Sequence, residues 1–498
     1  MATYLTLIII AGSFLCSSLA VNPGFQARIT PTGLQFLSEV GIQELKDEIS
    51  KATIPDQSGS ADVGIGTIDY SISNIHVTSF DIPSASISTV TDVGLTVSAS
   101  GLSLSLHGDW HYKLHGFIPV SDSGSFDISM SSVSISITIE IGVDSTGRPT
   151  VYSSSSDCQF SVGSVDVDLH GGASWLYNLF DDQIADKIKD AMNDEVCKIV
   201  IQEVNTDLAE EVANIQIVAS ISDDAEIDYS LVTSPIFNVS LTTLHKGEVY
   251  QKGNHTEAPY EIPTIPSDPD QSKMVFMWMT DYVANSAGYV LQNTGFFQYN
   301  VTQDNIPPSS KISLNTSQFA VEFLIPQLSK LYPDMMMQIN LNTTQPPSVS
   351  ITPDQVGAAV TGDIAAYVIQ PNKTLTYLFT LESTMKVSAK LGFKRTSLTW
   401  NSSFISVDLT LLRTAIEDFK VDQLKATLQL ACKLYIIPKI NELGAVGIPV
   451  PSFDKYSLQN PQITQGKGFI KIGTDMVYNP LWQTRAKSYR NPKKISVV

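Results

Sequence analysis

The stretch LHGDWHYKLHG, from Leu106 to Gly116, sets His107, His111 and His115 at an even spacing of four, three of the seven histidines in the chain. On a helix that spacing stacks imidazoles on one face, where two of them can share a zinc ion. The surrounding residues have a different period. Between Gly101 and Gly116, Leu102, Leu104, Leu106, Trp110, Tyr112 and Leu114 occupy even positions, while Ser103, Ser105, His107, Asp109, His111, Lys113 and His115 occupy odd ones. Such alternation describes a strand with one apolar and one wet face. Residues four apart on a strand are separated by about 13 Å, and zinc bonds nitrogen at about 2.0 to 2.1 Å. Two of these histidines could share an ion only if the chain folded back, so no metal is assigned and they are read as part of a wet strand face.

Other chemistry is equally sparse. The chain has no G-x-S-x-G elbow, H-E-x-x-H pair, Walker loop or C-x-x-C, and so lacks the common arrangements for an activated nucleophile, a catalytic zinc or a nucleotide phosphate. Gly64-Ile65-Gly66 lacks the third glycine of a dinucleotide loop and reads as a turn. Asp181-Asp182 and Asp223-Asp224 read as solvated surface. The expectation is a protein without catalytic residues or cofactor.

The elements that carry these residues belong to a long chain. Its 498 residues suggest two domains, and 43% apolar against 16% charged residues gives ample core. Residues 21–230 hold 8 Lys and Arg against 31 Asp and Glu, a balance of −23, whereas residues 231–498 hold 23 against 19, or +4. So acidic a first half argues against nucleic acid as a partner and against simple electrostatic capture by anionic membranes. The final RAKSYRNPKK is basic and reads as a solvated tail.

The opening MATYLTLIIIAGSFLCSSLAVNPG is an uncharged apolar run ending in Ser18-Leu19-Ala20. It reads as a signal peptide over residues 1–20, cleaved before Val21, and the mature chain is expected to be soluble and secreted. Seven N-x-Ser/Thr triplets, at Asn238, Asn254, Asn300, Asn315, Asn342, Asn372 and Asn401, are candidate glycosylation sites in that compartment. Cys16 departs with the signal. Of the remaining three cysteines, Cys158 and Cys197 are favoured as a disulfide, and Cys432, in LQLACKLYII, as a buried inert thiol.

Along the chain the apolar period changes several times. ITPTGLQFLSEVGIQELKDEISKATIP has Thr30 as cap, Pro31 in the first turn and leucines near helical spacing, and it stops before Pro55. From Asp62 to about Val167, short alternating runs predict antiparallel strands. SWLYNLFDDQIADKIKDAMNDEVCKIVIQEVNTDL predicts a long amphipathic helix. NHTEAPYEIPTIPSDPD, with four prolines, reads as an extended linker. The same order then recurs: a shorter helix at DYVANSAGYVLQN, strands over roughly 309–406, and a second long helix in VDLTLLRTAIEDFKVDQLKATLQLACKLYIIPKINEL. The repeat is one of architecture and not of residue identity.

Taken together, NPGFQARITPTGLQFL, WLYNLFDDQIADKIKDAMNDEVC with Cys158, the proline linker and GAVGIPVPSFDKYSLQNPQITQGKGFIKIGTDMVY resemble the family of bactericidal permeability-increasing protein and lipopolysaccharide-binding protein, over essentially the whole mature chain. The resemblance implies an α+β fold: an elongated two-domain boomerang, each domain a curved antiparallel barrel-like sheet wrapped by a long amphipathic helix and a shorter one, with a central sheet between them. It implies an N-terminal barrel domain over 21–254, a linker over 255–270, a C-terminal barrel domain over 271–498, and the Cys158–Cys197 disulfide. It further implies a monomer that holds phospholipid or lipopolysaccharide acyl chains in apolar tunnels and meets a lipid-particle or bacterial outer-membrane surface. Candidate pocket walls are Leu34, Leu37, Leu45, Ile184, Ile188 and Met192 in the first domain, and Tyr282, Tyr289 and Leu291 in the second. Antibacterial members are similar but carry a lysine- and arginine-rich tip. The corresponding stretches here, SGSADVGIGTIDY and LHGDWHYKLHGF, offer only His107, His111, Lys113 and His115, and near neutral pH imidazoles supply little permanent charge for lipid phosphate.

Overall fold

The computed structural model describes residues 22–49, 56–62, 66–115, 119–172, 196–306, 313–394, 396–451 and 456–479. The expected signal peptide, most of the first long helix and the basic tail lie outside them. Within them the chain is a two-domain α+β protein built on curved antiparallel sheets.

The N-terminal sheet has eight strands. Its centre is the pair Gly94–His115 and Val120–Val143, flanked by Thr67–Asp81 on one side and Ser164–His170 on the other. The alternation read from the sequence holds: Leu102, Tyr112 and Leu114 are buried, whereas His111, Lys113 and His115 are exposed and His107 is half-buried. Helix Pro31–Ile49 covers part of the apolar face, placing Ile42 against the cluster of Ile82, Leu102, Met130, Val133 and Val162. Thr30 caps this helix: its hydroxyl accepts from the Gly33 N–H at 3.3 Å and donates to the Lys273 carbonyl at 2.8 Å. The helix is thereby tied to the far half of the chain.

The C-terminal sheet has seven strands, centred on Val356–Ile369, Leu375–Lys394 and Ser397–Thr414. Helix Asp281–Asn293 forms where DYVANSAGYVLQN predicts it. Two expectations are corrected. VDLTLLRT is not the start of the second long helix but the end of strand Ser397–Thr414, because Val407, Leu409 and Leu411 face the core while Asp408 and Thr410 are exposed, a period of two. The helix starts at Val421, and a π-turn at Cys432–Ile436 leads into Ile437–Val446. Pro438 has no N–H to give and its ring crowds the preceding turn, which the wider turn relieves. Within 309–406, read as strands, Phe319–Leu324 and Pro326–Leu331 are short helices.

A third, six-stranded sheet joins the halves. Strand Phe25–Ile29 pairs with Leu241–His245 on one side and Val275–Thr280 on the other, and Val275–Thr280 continues to Phe469–Tyr478. One face packs Phe25, Met277, Met279, Ile470 and Ile472 into a core shared with helix residues Val283 and Val290. On the other, the Arg28 guanidinium lies 5.0 Å over the Phe276 ring and 4.8 Å over Trp278. It donates to the backbone carbonyls of Asp268 and Asp270, while Lys471 lies 2.6 and 2.7 Å from their carboxylates. The proline-rich segment 255–270 has no helix or strand, and its end is pinned to this sheet.

Arg28→Ala leaves two linker carbonyls and two ring faces without their cation and should lower stability by about 2 to 4 kcal/mol, read as a fall in Tm. His245, in the same sheet, donates through Nδ1 to the Tyr229 carbonyl at 2.7 Å and packs on Phe25. Burial holds its imidazole below the ordinary value, so the unfolded chain binds the proton more readily, and stability present near neutral pH is lost as pH falls below about 6.5. A series of melts from pH 7.5 to 5 should show that slope, and His245→Gln should reduce it.

Candidate functional site

Two apolar inner faces, one in each half, are the surfaces on which function can rest. In the N-terminal half the inner face runs along the strands from Leu102 to Leu114, a length of about 40 Å. Ile82, Leu102, Met130, Val133 and Val162 form one core patch on it, and Ile68, Tyr112, Leu114 and Trp110 another further along. A third patch surrounds Cys158 and Cys197, which form a disulfide with Cα atoms 5.7 Å apart. There Val200, Ile201 and Leu208 pack against the cluster of Ile137, Cys158 and Val204, so the bond ties the helical segment that follows Cys197 to the sheet.

The sequence candidates are distributed unevenly over these surfaces. Leu34 is buried, and Leu37 packs against the core of the joining sheet. Leu45 lies within helix Pro31–Ile49, and Ile184, Ile188 and Met192 lie outside the described residues. In the second half, Tyr282 is buried and Tyr289 and Leu291 are half-buried. The Tyr282 hydroxyl is engaged by Glu248, a carboxylate only 1% exposed that also accepts from the Tyr250 hydroxyl at 2.8 Å and the Ala258 N–H at 2.7 Å. Burial, then that carboxylate, pushes the Tyr282 phenol far up, so it remains a donor. Tyr289 meets Tyr260 edge-on at 6.3 Å. Cys432 is a free, buried cysteine, and burial raises its thiol pKa, the opposite of what a reactive thiolate needs.

On the wet face of the N-terminal sheet, the strand register assembles partners that lie far apart in the sequence. Asp127 sits opposite His107 and takes Nδ1 of His107 and Nε2 of His170, each at 2.8 Å. His115 pairs with Asp69 at 2.8 Å, and the His76 ring lies 5.4 Å from that of His107. The imidazole hydrogen bonds hold Asp127 below the ordinary carboxylate range, and hydrogen bonds from Ser60 and then His115 do the same for Asp69. His107, His115 and His170 each pair with a carboxylate, which lowers the net charge available to an anion, whereas His76 bonds the Asn74 carbonyl through Nδ1 at 2.9 Å. Sequence reasoning missed Asp127, His170 and His76 because their proximity is set by register alone.

Six of the candidate glycosylation asparagines, Asn238, Asn254, Asn300, Asn342, Asn372 and Asn401, are exposed, and Asn315 is half-buried. Also missed were Phe319 and Phe323, 82% and 68% exposed and stacked at 6.3 Å; their spacing of four in QFAVEF was the available signal.

Curved antiparallel sheets with apolar inner faces and amphipathic helices define a two-domain sheet-and-helix protein. Two family models match the chain, the N-terminal domain of the LBP / BPI / CETP family over residues 33–210 and its C-terminal domain over 219–478. The chain belongs to that family. It is 34% identical to bactericidal permeability-increasing protein of Sebastes schlegelii over 93% of this chain and 96% of that protein. It is 31% identical to lipopolysaccharide-binding protein of Homo sapiens, over 93% and 95% of the two chains. Its fold matches the crystal structure of a lipopolysaccharide-binding protein with a TM-score of 0.63 at 28% identity, covering 92% of this chain and 99% of that one.

Proposed function

We propose that this chain is a secreted, non-catalytic glycoprotein that binds phospholipid or lipopolysaccharide-type lipid by enclosing acyl chains between its inner sheet faces and their helices, and that it passes such lipid between surfaces. The observation that carries the reading is the apolar inner face of the N-terminal sheet, with one patch around Leu102 and Met130 and a second around Tyr112 and Leu114 further along the same strands. Each methylene buried there contributes roughly 0.8 kcal/mol, so two acyl chains are held firmly without any headgroup charge. Residues 1–20 would direct the chain out of the cell, and the Asn-x-Ser/Thr asparagines would carry its glycans. The natively secreted protein should yield stoichiometric phospholipid or lipid A-type lipid on solvent extraction and mass spectrometry, and should move that lipid between vesicles. A lipid-free protein that also fails to take up phospholipid would exclude the reading.

A second reading, an innate-immune protein that recognises the lipopolysaccharide of Gram-negative bacteria, is supported by the names of its relatives, two of which are bactericidal permeability-increasing protein and lipopolysaccharide-binding protein. The wet face with His107, His111, Lys113 and His115 would then be the contact. Such a contact is electrostatic, so lipopolysaccharide binding should weaken as salt is raised, measured at pH 7.4 and again at pH 5.5. No binding at either pH would leave lipid carriage alone.

A further inference from the structure

Among the described residues, only one buried side-chain hydroxyl has no hydrogen-bond partner, that of Tyr112. Its residue is 3% exposed and packs with Ile68, Leu114 and Trp110. It lies on the same face of strand Gly94–His115 as Leu102, Leu104 and Leu106, and so faces the apolar interior of the N-terminal sheet. The ring is held in place. The Trp110 indole stacks on it at 5.8 Å with 16° between planes, and Trp110 Nε1 donates to the Ser125 carbonyl at 2.9 Å. Glycines make room for that indole: a Cβ at Gly124 or Gly172 would come within 2.7 or 2.6 Å of it.

A buried hydroxyl without an acceptor bears its full desolvation penalty, and native proteins leave few such groups. Burial, then the charge of Asp122 directly opposite on the neighbouring strand, raises the phenol above its ordinary value, so it is a standing donor in a largely apolar enclosure that opens beside the exposed Tyr70. Acyl chains offer it nothing. The oxygens of a lipid's ester or phosphate groups are acceptors that arrive in such an enclosure without donors of their own.

On the lipid-binding reading above, we propose that the Tyr112 hydroxyl donates a hydrogen bond to an ester-carbonyl or phosphate oxygen of the lipid held in the N-terminal domain. It would be the polar anchor that sets how deep the lipid sits and favours esterified phospholipid over plain hydrocarbon.

The test uses the full secreted chain and its Tyr112→Phe variant, with diacyl phosphatidylcholine and its dialkyl-ether analogue as probes. Without lipid the variant should melt at the same temperature as the parent or higher, because an orphaned hydroxyl is removed. With diacyl lipid it should release its load to acceptor vesicles about 5- to 10-fold faster, the effect of one hydrogen bond. If the acceptor is the ester carbonyl, the parent retains diacyl lipid better than ether lipid by a similar factor and the variant does not discriminate. If it is the phosphate, the substitution weakens both lipids equally. Release of both lipids at the parental rate would overturn the proposal while leaving lipid binding intact, and a variant several degrees less stable without lipid would show that the hydroxyl already has a protein partner. A parent that takes up neither lipid would remove the lipid-binding reading and this anchor with it.

Discussion

Strand Phe25–Ile29 is hydrogen-bonded along both edges, to Leu241–His245 and to Val275–Thr280, so the start of the described chain lies between two segments more than 200 residues further on. Both domains hang on this strand. Its odd residues, Phe25 and Ala27, enter the core shared with helix Asp281–Asn293. Its even residue Arg28 holds the linker through the carbonyls of Asp268 and Asp270 and stacks on Phe276 and Trp278. The residue after it, Thr30, caps the first helix and binds Lys273. One short strand thus sets the joining sheet, the linker path and the entry of helix Pro31–Ile49.

Helix and linker are held from that sheet, and each large sheet carries buried apolar patches of its own on one face. A sheet of this curvature with apolar residues on one side must cover them, and helices do so by laying apolar stripes along the strands. In the N-terminal half the disulfide at Cys158 and Cys197 fixes one end of the cover, and the Thr30 cap fixes another. The same face carries Trp110 and Tyr112, stacked rings packed with Ile68 and Leu114. The wet face is organised differently, by carboxylates that bridge imidazoles on neighbouring strands.

How much of this could be read in advance depended on the range of the interaction. The cap at Thr30, the alternation from Leu102 to Leu114, helix Asp281–Asn293 and the Cys158–Cys197 pair were legible, since each rests on local spacing, a short list of cysteines or a family resemblance. The end of strand Ser397–Thr414 was misread as helix because leucines in VDLTLLRT fit both periods over so short a run. The partners of His107 were not legible at all: Asp127 is 20 residues away, and His170 reaches it from a third strand.

The sequence alone determined the two-part organisation, the charge contrast between halves, which face of each strand is apolar, and the absence of common catalytic motifs, because composition and a period of two or 3.6 are properties of neighbouring residues. Only the tertiary structure decided that a strand near the N-terminus joins the domains, that the linker is pinned by Arg28 and Lys471, that Asp127 lies between two histidines, and that the Tyr112 hydroxyl is buried without a partner. Those facts depend on strand register and on which face meets which. A shift of one residue would reverse them without changing any local pattern.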